Sequence, residues 1–173
     1  MFWLKLLGNL IKVLRAGDSP PLIAAGLTMG FVVGLTPALT LQSLLLLLVA
    51  VLTKVNLSAF FFGLFLFSFC AFLFDPWFHH LGFVLLNNVG ALEGLWTALY
   101  NAPLAPFTRF YNTVVAGSLT MALLLAAPVY LLTVRGVVLY RERWEQRILN
   151  WRLVRYIRGL TIYEWYQRLD SLR

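Results

Sequence analysis

The chain has 173 residues, of which 61% are hydrophobic and 12% are charged. A soluble domain of this length has too little interior to bury so many apolar residues, so the composition excludes an ordinary soluble protein and predicts an integral membrane protein. The formal net charge is +7, but the basic residues flank apolar stretches, so we expect membrane lipids as partners and no nucleic acid.

Basic residues are concentrated near the two ends of the chain. Of the 14 lysines and arginines, nine lie from Arg135 onward and three lie in the first 15 residues, which leaves Lys54 and Arg109 between them. Cytoplasmic segments beside membrane spans are enriched in Lys and Arg, so the sequence predicts that both termini are cytoplasmic.

Residues 1–16 predict an amphipathic helix that lies in the membrane interface. Apolar side chains recur on one helical face, while Lys5, Asn9 and Lys12 lie on the other. The segment is too short and too charged to cross a membrane. A membrane domain is predicted to follow over residues 17–134.

Residues 20–53 contain two short apolar stretches that are separated by Thr36-Pro37. One straight helix over residues 22–53 would measure roughly 48 Å, well beyond a hydrocarbon core of about 30 Å, whereas each half is too short to cross it. The pattern favours a re-entrant hairpin that enters and leaves on the same side of the membrane. Two tilted spans are the alternative interpretation.

Glycine recurs at every fourth position of the first half of this hairpin. Gly26, Gly30 and Gly34 share one helical face, and such a face lets another helix pack closely in a membrane. A backbone break at membrane depth must be covered by protein or line a wet cavity. The residues around the break, with one Asn that precedes the next span, are therefore the predicted lipid-binding residues: Gly34, Thr36, Pro37, Thr40, Gln42, Ser43 and Asn56. Gln42 is expected either to contact a headgroup or to bond the broken backbone.

The rest of the membrane domain predicts two full spans with an interrupted segment between them. Residues 57–74 form an apolar span that Asp75-Pro76 is expected to end, with Asp75 capping the next helix. Residues 76–100 predict two short interfacial helices at the outer surface, and residues 113–134 predict the second span. The predicted fold is all-α and polytopic, with a glycine-packed re-entrant or short helical hairpin, two spans and interfacial amphipathic helices.

Residues 135–173 predict a basic amphipathic cytoplasmic tail. Aromatic and aliphatic residues recur there at helical spacing, with arginines around them. Such a face suits anionic lipid headgroups. The predicted membrane-surface residues are Arg141, Arg143, Arg147, Arg152, Arg155 and Arg158.

No set of residues predicts catalysis, a metal site or a cofactor, so we expect that the protein is not an enzyme. Asp75 and His79 are four residues apart and share a helical face with His80 alongside, but they make an incomplete metal site, and a polar span end is the favoured interpretation. Glu93 is expected at the surface. The glycine repeat lacks the strand and the acidic partner of a dinucleotide site.

One motif resembles a bacterial inner-membrane domain of unknown function that also occurs attached to some glycosyltransferases. The motif is Pro20-x3-Ala24-x-Gly26-x3-Gly30-x3-Gly34-x2-Pro37, followed by Gln42 and Lys54-Val-Asn56. Residues 110–118 are similar to a short branch of that family. Many relatives carry Asn-Pro where this chain has Asp75-Pro76.

The resemblance implies a multi-pass protein of the bacterial inner membrane. The short branch is associated with AsmA-like envelope proteins, which are long β-grooves proposed to carry lipid between membranes. Our first hypothesis is a non-enzymatic protein that supports phospholipid transfer or envelope homeostasis with an AsmA-like partner. A small transporter or lipid-carrier flippase that acts as a homo-oligomer is the second hypothesis. A purely structural membrane anchor is the third.

Overall fold

The computed structural model of the chain describes residues 18–37 and 40–144. These residues are helical and contain no strand. Five α-helices follow one another: α1 (Pro20–Leu35), α2 (Leu41–Leu52), α3 (Leu57–Phe83), α4 (Glu93–Asn101) and α5 (Thr113–Leu139). Two π-helices, Val84–Asn88 and Tyr140–Trp144, and two 3-10 helices, Gly90–Leu92 and Ala105–Thr108, extend or connect them. The predicted interfacial helix at residues 1–16 and the predicted tail beyond residue 144 lie outside the described residues.

The break between α1 and α2 follows from local backbone chemistry. Proline disfavours helical backbone at the residue before it, and Thr36 accordingly adopts an extended conformation ahead of Pro37. Thr40 is also extended and precedes the first turn of α2. The chain therefore forms two short helices at the positions where the sequence predicts the halves of a hairpin.

The glycine face of α1 lies against α3. A Cβ atom at Gly34 would lie 2.6 Å from the carbonyl oxygen of Leu64, and Gly26 and Gly30 face the backbone of Asn56 and Phe60 in the same way. Side chains larger than hydrogen would force the two backbones apart, so these glycines permit a close helix pair.

Helices α1 and α3 run parallel, since the α3 residue that each glycine meets advances along the chain together with the glycine. Their first turns are joined directly, because the backbone N–H of Asn56 donates to the carbonyl of Leu22 at 3.2 Å. Helix α2 must therefore return the chain to the level at which α1 began. The two short helices form an antiparallel hairpin beside the first half of α3.

Helix α3 does not end at the predicted position. The sequence placed the end of the span at residue 74, but the helix continues through Asp75 and Pro76 to Phe83, and the π-helix Val84–Asn88 extends it. Asp75 therefore caps no helix. Proline is tolerated inside a helix that lies in a membrane protein, and here α5 packs against the turns of α3 that follow Pro76.

The continuation of α3 also changes the predicted outer segment. Of the two short helices expected over residues 76–100, α4 forms a separate helix, and residues 76–88 belong to the long helical segment. Helix α5 runs to Leu139, five residues beyond the predicted end at residue 134.

Helix α5 packs antiparallel to the end of α3. Gly82 faces the backbone of Thr113 and Gly117, and Gly117 faces the backbone of Phe78. Further along α5, Ala122 joins a buried cluster with Phe78 and with three residues of α1: Phe31, Val32 and Leu35. The compact unit Asp18–Val134 is thus held together by two close helix pairs, both on α3.

Two helical segments are long and apolar enough to cross a membrane, Leu57–Asn88 and Thr113–Arg143. Only 17% and 11% of the residues in their most apolar stretches are buried inside the protein, so they are not core helices covered by other elements. Large apolar side chains such as Phe72, which is 79% exposed, cover their surfaces. Soluble monomers rarely expose continuous apolar surface of this kind.

Candidate functional site: the hairpin turn and its groove

Three hydroxyl groups meet at the turn between α1 and α2. The hydroxyl oxygens of Thr40 and Ser43 are 2.8 Å apart, and those of Thr36 and Ser43 are 3.4 Å apart. The Thr36 hydroxyl also donates to the carbonyl of Val32 at 3.1 Å. All three side chains are buried, so we call Thr36, Thr40 and Ser43 the hydroxyl cluster.

The hydroxyl cluster arises from the helix ends themselves. Thr36 follows the last turn of α1, where carbonyl groups lack intrahelical donors, and its hydroxyl lies 3.2 Å from the carbonyl of Val33, to which it can donate. Thr40 and Ser43 stand three residues apart at the start of α2, so their side chains lie on the same side. A hydroxyl oxygen has two acceptor sites, so Thr36 and Ser43, which line the cavity described next, also offer acceptors to a ligand.

A cavity of about 490 Å³ opens beside the hydroxyl cluster, and we call it the turn groove. This volume is in the range of ligand sites in proteins. Its walls come from the end of α1, from α2 and from one face of α3. The lining residues are Val33, Gly34, Leu35, Thr36, Pro37, Ser43, Leu44, Leu47, Phe60, Phe61, Leu64, Ser68, Ala71, Phe72 and Asp75.

The polar groups of the turn groove lie at separate levels. Thr36 and Ser43 lie at the turn, Ser68 lies on α3, and Asp75 lies two turns further along α3. The Ser68 hydroxyl donates to the carbonyl of Leu64 at 2.7 Å. Asp75 is half-buried, and its carboxylate has no hydrogen-bond or ion-pair partner among the described residues. The groove therefore contains one negative charge in largely apolar walls.

Gln42 lies in the first turn of α2, next to the hydroxyl cluster. Its two amide atoms are buried, and neither has a hydrogen-bond partner within the described ranges 18–37 and 40–144. Gln42 was predicted either to contact a headgroup or to bond the broken backbone. The described residues show no such bond to the backbone. A buried amide without a partner costs about 1–3 kcal/mol, so this group has an unmet need for a hydrogen-bond partner.

Asn56 lies at the opposite end of the hairpin from the other predicted lipid-binding residues. Its side-chain oxygen accepts the backbone N–H of Ala59 at 2.7 Å and caps α3, and its amide nitrogen donates to the Asp18 carboxylate at 2.7 Å. Asn56 thus ties the start of α1 to the start of α3. The structure brings Gly34, Thr36, Pro37 and Ser43 together at the groove, with Thr40 and Gln42 close by in sequence.

Asp75 and His79 do share one face of α3, but their side chains have different neighbours. Asp75 lines the turn groove, whereas Nδ1 of His79 is 2.6 Å from the hydroxyl oxygen of Thr113 on α5. No group of three potential metal ligands occurs within the part of the chain that the structure describes. Of the predicted membrane-surface arginines, Arg141 and Arg143 are described, and Arg143 is exposed.

Asp75 was not predicted as a groove residue, because an Asp-Pro pair ordinarily marks a helix end. It also did not predict an aromatic cluster between α4 and the start of α5. Trp96 stacks on Phe110 with ring centres 5.9 Å apart, and Tyr100 meets Tyr111 edge-on at 6.3 Å. The number of aromatic residues in this part of the sequence could have indicated an aromatic cluster. Which rings pair with each other depends on the tertiary fold.

Residues 5–146 match the family described as "Uncharacterized protein conserved in bacteria (DUF2062)". The chain belongs to this family. It is also 31% identical over 138 residues to an uncharacterized protein of Treponema pallidum (strain Nichols). The aligned region covers 80% of this chain and 85% of that protein. No solved structure matches the chain. The predicted membership of a bacterial family of unknown function is confirmed, and the matched range contains the whole turn groove.

Proposed function

We propose that this DUF2062 protein is a non-enzymatic protein of the bacterial inner membrane that holds a phospholipid in the turn groove and supports its transfer in the cell envelope. One observation carries this proposal: an open cavity of about 490 Å³ has apolar walls, buried hydroxyl groups at one level and a carboxylate at another. A phospholipid combines the same two kinds of surface, since apolar chains are joined to a polar headgroup.

We take α3 and α5 as membrane spans because of their length and their exposed apolar surface. Asp75 lies 18 residues after Leu57, or about 27 Å along the helix axis, near the far edge of a hydrocarbon core about 30 Å thick. Ser68, which shares the groove with the turn, is about 16 Å along. In this placement the hairpin turns back near the middle of the bilayer and is re-entrant.

The dimensions of the turn groove suit one lipid molecule. Phe60 and Asp75 mark its ends along α3, and 15 residues of helix span about 22 Å. Half of a bilayer with its headgroup region is about 20–22 Å thick. A lipid with its headgroup at Asp75 would extend its chains toward Phe60 and pass the hydroxyl cluster midway.

We include an AsmA-like envelope protein as the partner that receives the lipid, on the resemblance of residues 110–118 to the short branch of the family. The alternative is a homo-oligomeric transporter that acts without other proteins. The two differ in one requirement, because a lone transporter exchanges lipid in vesicles that contain no other protein, whereas a partnered protein binds lipid there without exchanging it.

Groove blocking tests the proposed function. We expect Ala71→Trp, which places an indole in the turn groove, to abolish lipid retention through detergent extraction and any leaflet exchange of fluorescent phospholipid in vesicles. Ala127→Trp on the exposed surface of α5 is the matched control and should behave as the wild type. Equal lipid retention and exchange by the wild type and both variants would contradict a role for the groove.

A further inference from the structure

We propose that the turn groove selects phospholipids whose headgroup carries a primary ammonium, the chemistry of phosphatidylethanolamine, and that Asp75 is the residue that selects them. This inference rests on the proposed function, because it names the lipid class that the same groove takes. The observations that support it are the charge of the groove, the position of nearby basic residues and a backbone acceptor created by Pro76.

The charge of the turn groove is negative. Asp75 is the ionisable side chain among its lining residues, and its carboxylate has no partner among the described residues. A carboxylate in apolar surroundings is costly unless it is paired with a cation or hydrogen-bonded. A cationic headgroup supplies that partner, whereas an anionic headgroup adds a second negative charge.

No basic side chain of the membrane unit is placed to pair with Asp75. Lys54 precedes α3, and Asp75 follows it by 21 residues, about 31 Å of helix. Arg109 is exposed in the connection before α5 and does not line the groove. His79 is bonded to Thr113, and neither it nor His80 lines the groove.

Pro76 adds a second acceptor beside the carboxylate. In an α-helix the carbonyl of Phe72 accepts the N–H of the residue four positions later, but that residue is Pro76, which has no N–H. Phe72 and Asp75 both line the groove, one turn apart. Ser68, one turn below Phe72, contributes a hydroxyl oxygen that retains acceptor capacity after donating to Leu64.

The Asp75 carboxylate and the Phe72 carbonyl are the two acceptors that one primary ammonium can use together, because they belong to adjacent turns of the groove face of α3. Ser68 precedes Asp75 by seven residues, about 10 Å of helix, so its hydroxyl lies beyond the reach of the same nitrogen. A quaternary ammonium, as in phosphatidylcholine, has the positive charge but no N–H to donate. The groove is therefore expected to prefer ethanolamine over choline headgroups by hydrogen bonding, and over glycerol headgroups by charge.

The test measures which lipids stay with the intact protein. The wild type is reconstituted in vesicles of equal parts phosphatidylethanolamine, phosphatidylcholine and phosphatidylglycerol and extracted into detergent, and retained lipids are counted by mass spectrometry. We expect about ten-fold more phosphatidylethanolamine than either other lipid, as one charge-assisted hydrogen bond provides. Equal retention of the three lipids would overturn the inference.

Two variants separate charge from hydrogen bonding. Asp75→Asn keeps the side-chain shape and is expected to remove the preference over phosphatidylglycerol. Glu93→Gln changes an exposed acid outside the groove and is expected to keep that preference.

Pro76→Ala supplies the missing N–H to the Phe72 carbonyl and removes a helix breaker, so loss of folding is not expected. It should reduce the preference over phosphatidylcholine and leave the preference over phosphatidylglycerol. Wild-type selectivity in both Asp75→Asn and Pro76→Ala would overturn the inference.

A free amine is tested as the alternative source of the ammonium. Free ethanolamine added during extraction is expected to leave the retained phosphatidylethanolamine unchanged, because the acyl chains contribute to binding in the apolar groove. Displacement by free ethanolamine would identify a soluble amine as the ligand and overturn the lipid assignment. Unselective retention that Ala71→Trp abolishes contradicts this inference alone. Selective retention in vesicles, with no transfer even when the AsmA-like partner is supplied, contradicts the proposed function alone.

Discussion

At the scale of single residues, the polar side chains of this protein divide into those that hold the fold and those that remain available. Asn56 belongs to the first group, since it caps α3 and donates to Asp18. Asn56 was included among the predicted lipid-binding residues as the Asn that precedes the next span. Thr36 and Ser43 were within reach of prediction, because a helix that ends before proline needs local donors for its last carbonyl groups.

Replacement of Asn56 by Ala should destabilise the protein by about 1–3 kcal/mol, because it removes a helix cap and a part-buried hydrogen bond to a carboxylate. Asn101→Ala is the matched control, because Asn101 is exposed and donates to the Thr97 carbonyl at a helix end. The control should change the stability by less than about 0.5 kcal/mol. Thermal and denaturant unfolding in detergent would measure both, and equal losses would show that the Asn56 contacts contribute nothing specific.

Helix boundaries were predictable where the backbone alone sets them and not where packing overrides the local signal. Pro37 ended α1 as the sequence predicted, because Thr36 before it adopts an extended conformation. Pro76 carries the same local signal, yet α3 continues, since Gly82 and Gly117 bring α5 against its last turns. A sequence without its packing partners cannot distinguish these two prolines.

Because α1 and α3 pack closely, we expect one methyl group added at their contact to lower the stability of the protein strongly. A Cβ atom at Gly30 would overlap the backbone of Phe60 and Leu64, so Gly30→Ala should cost about 1–3 kcal/mol through overpacking. Nothing lies within 4 Å of a Cβ atom at Gly94, so Gly94→Ala should leave the stability unchanged or raise it by up to about 1 kcal/mol. Unfolding in detergent compares them, and a Gly30→Ala protein as stable as the wild type would refute the close-packed face.

For the molecule as a whole, the composition was enough to predict apolar helices facing outward, and the repeat of glycines was enough to predict a close helix pair. The division of this region into two short helices, of 16 and 12 residues, was also predictable, because Pro37 interrupts the apolar stretch. The turn groove was beyond the sequence, because its walls come from three helices and its charge from Asp75, which local rules assign to a helix end.

The re-entrant course of the hairpin has a direct test in a Cys70→Ala background, which removes the single cysteine. With labels that do not cross membranes, Thr53→Cys should react from one side and Thr97→Cys from the other, since both positions are exposed and follow opposite ends of the proposed spans. Pro37→Cys at the turn should not react from the side that labels Thr97→Cys. Equal labelling of Pro37→Cys and Thr97→Cys from one side would establish two full crossings instead.

The two glycine contacts on α3 also have a mechanical consequence. Between Asn56 and Phe67 the helix is clamped against α1, and between Phe78 and Gly82 it is clamped against α5. The stretch between these two regions contains Pro76, and cavities of about 490 Å³ and 400 Å³ border it. A helix that is held near both ends bends most easily between them. We therefore expect α3 to bend most easily beside the turn groove, where a lipid would enter, while its close contacts with α1 and α5 stay in place.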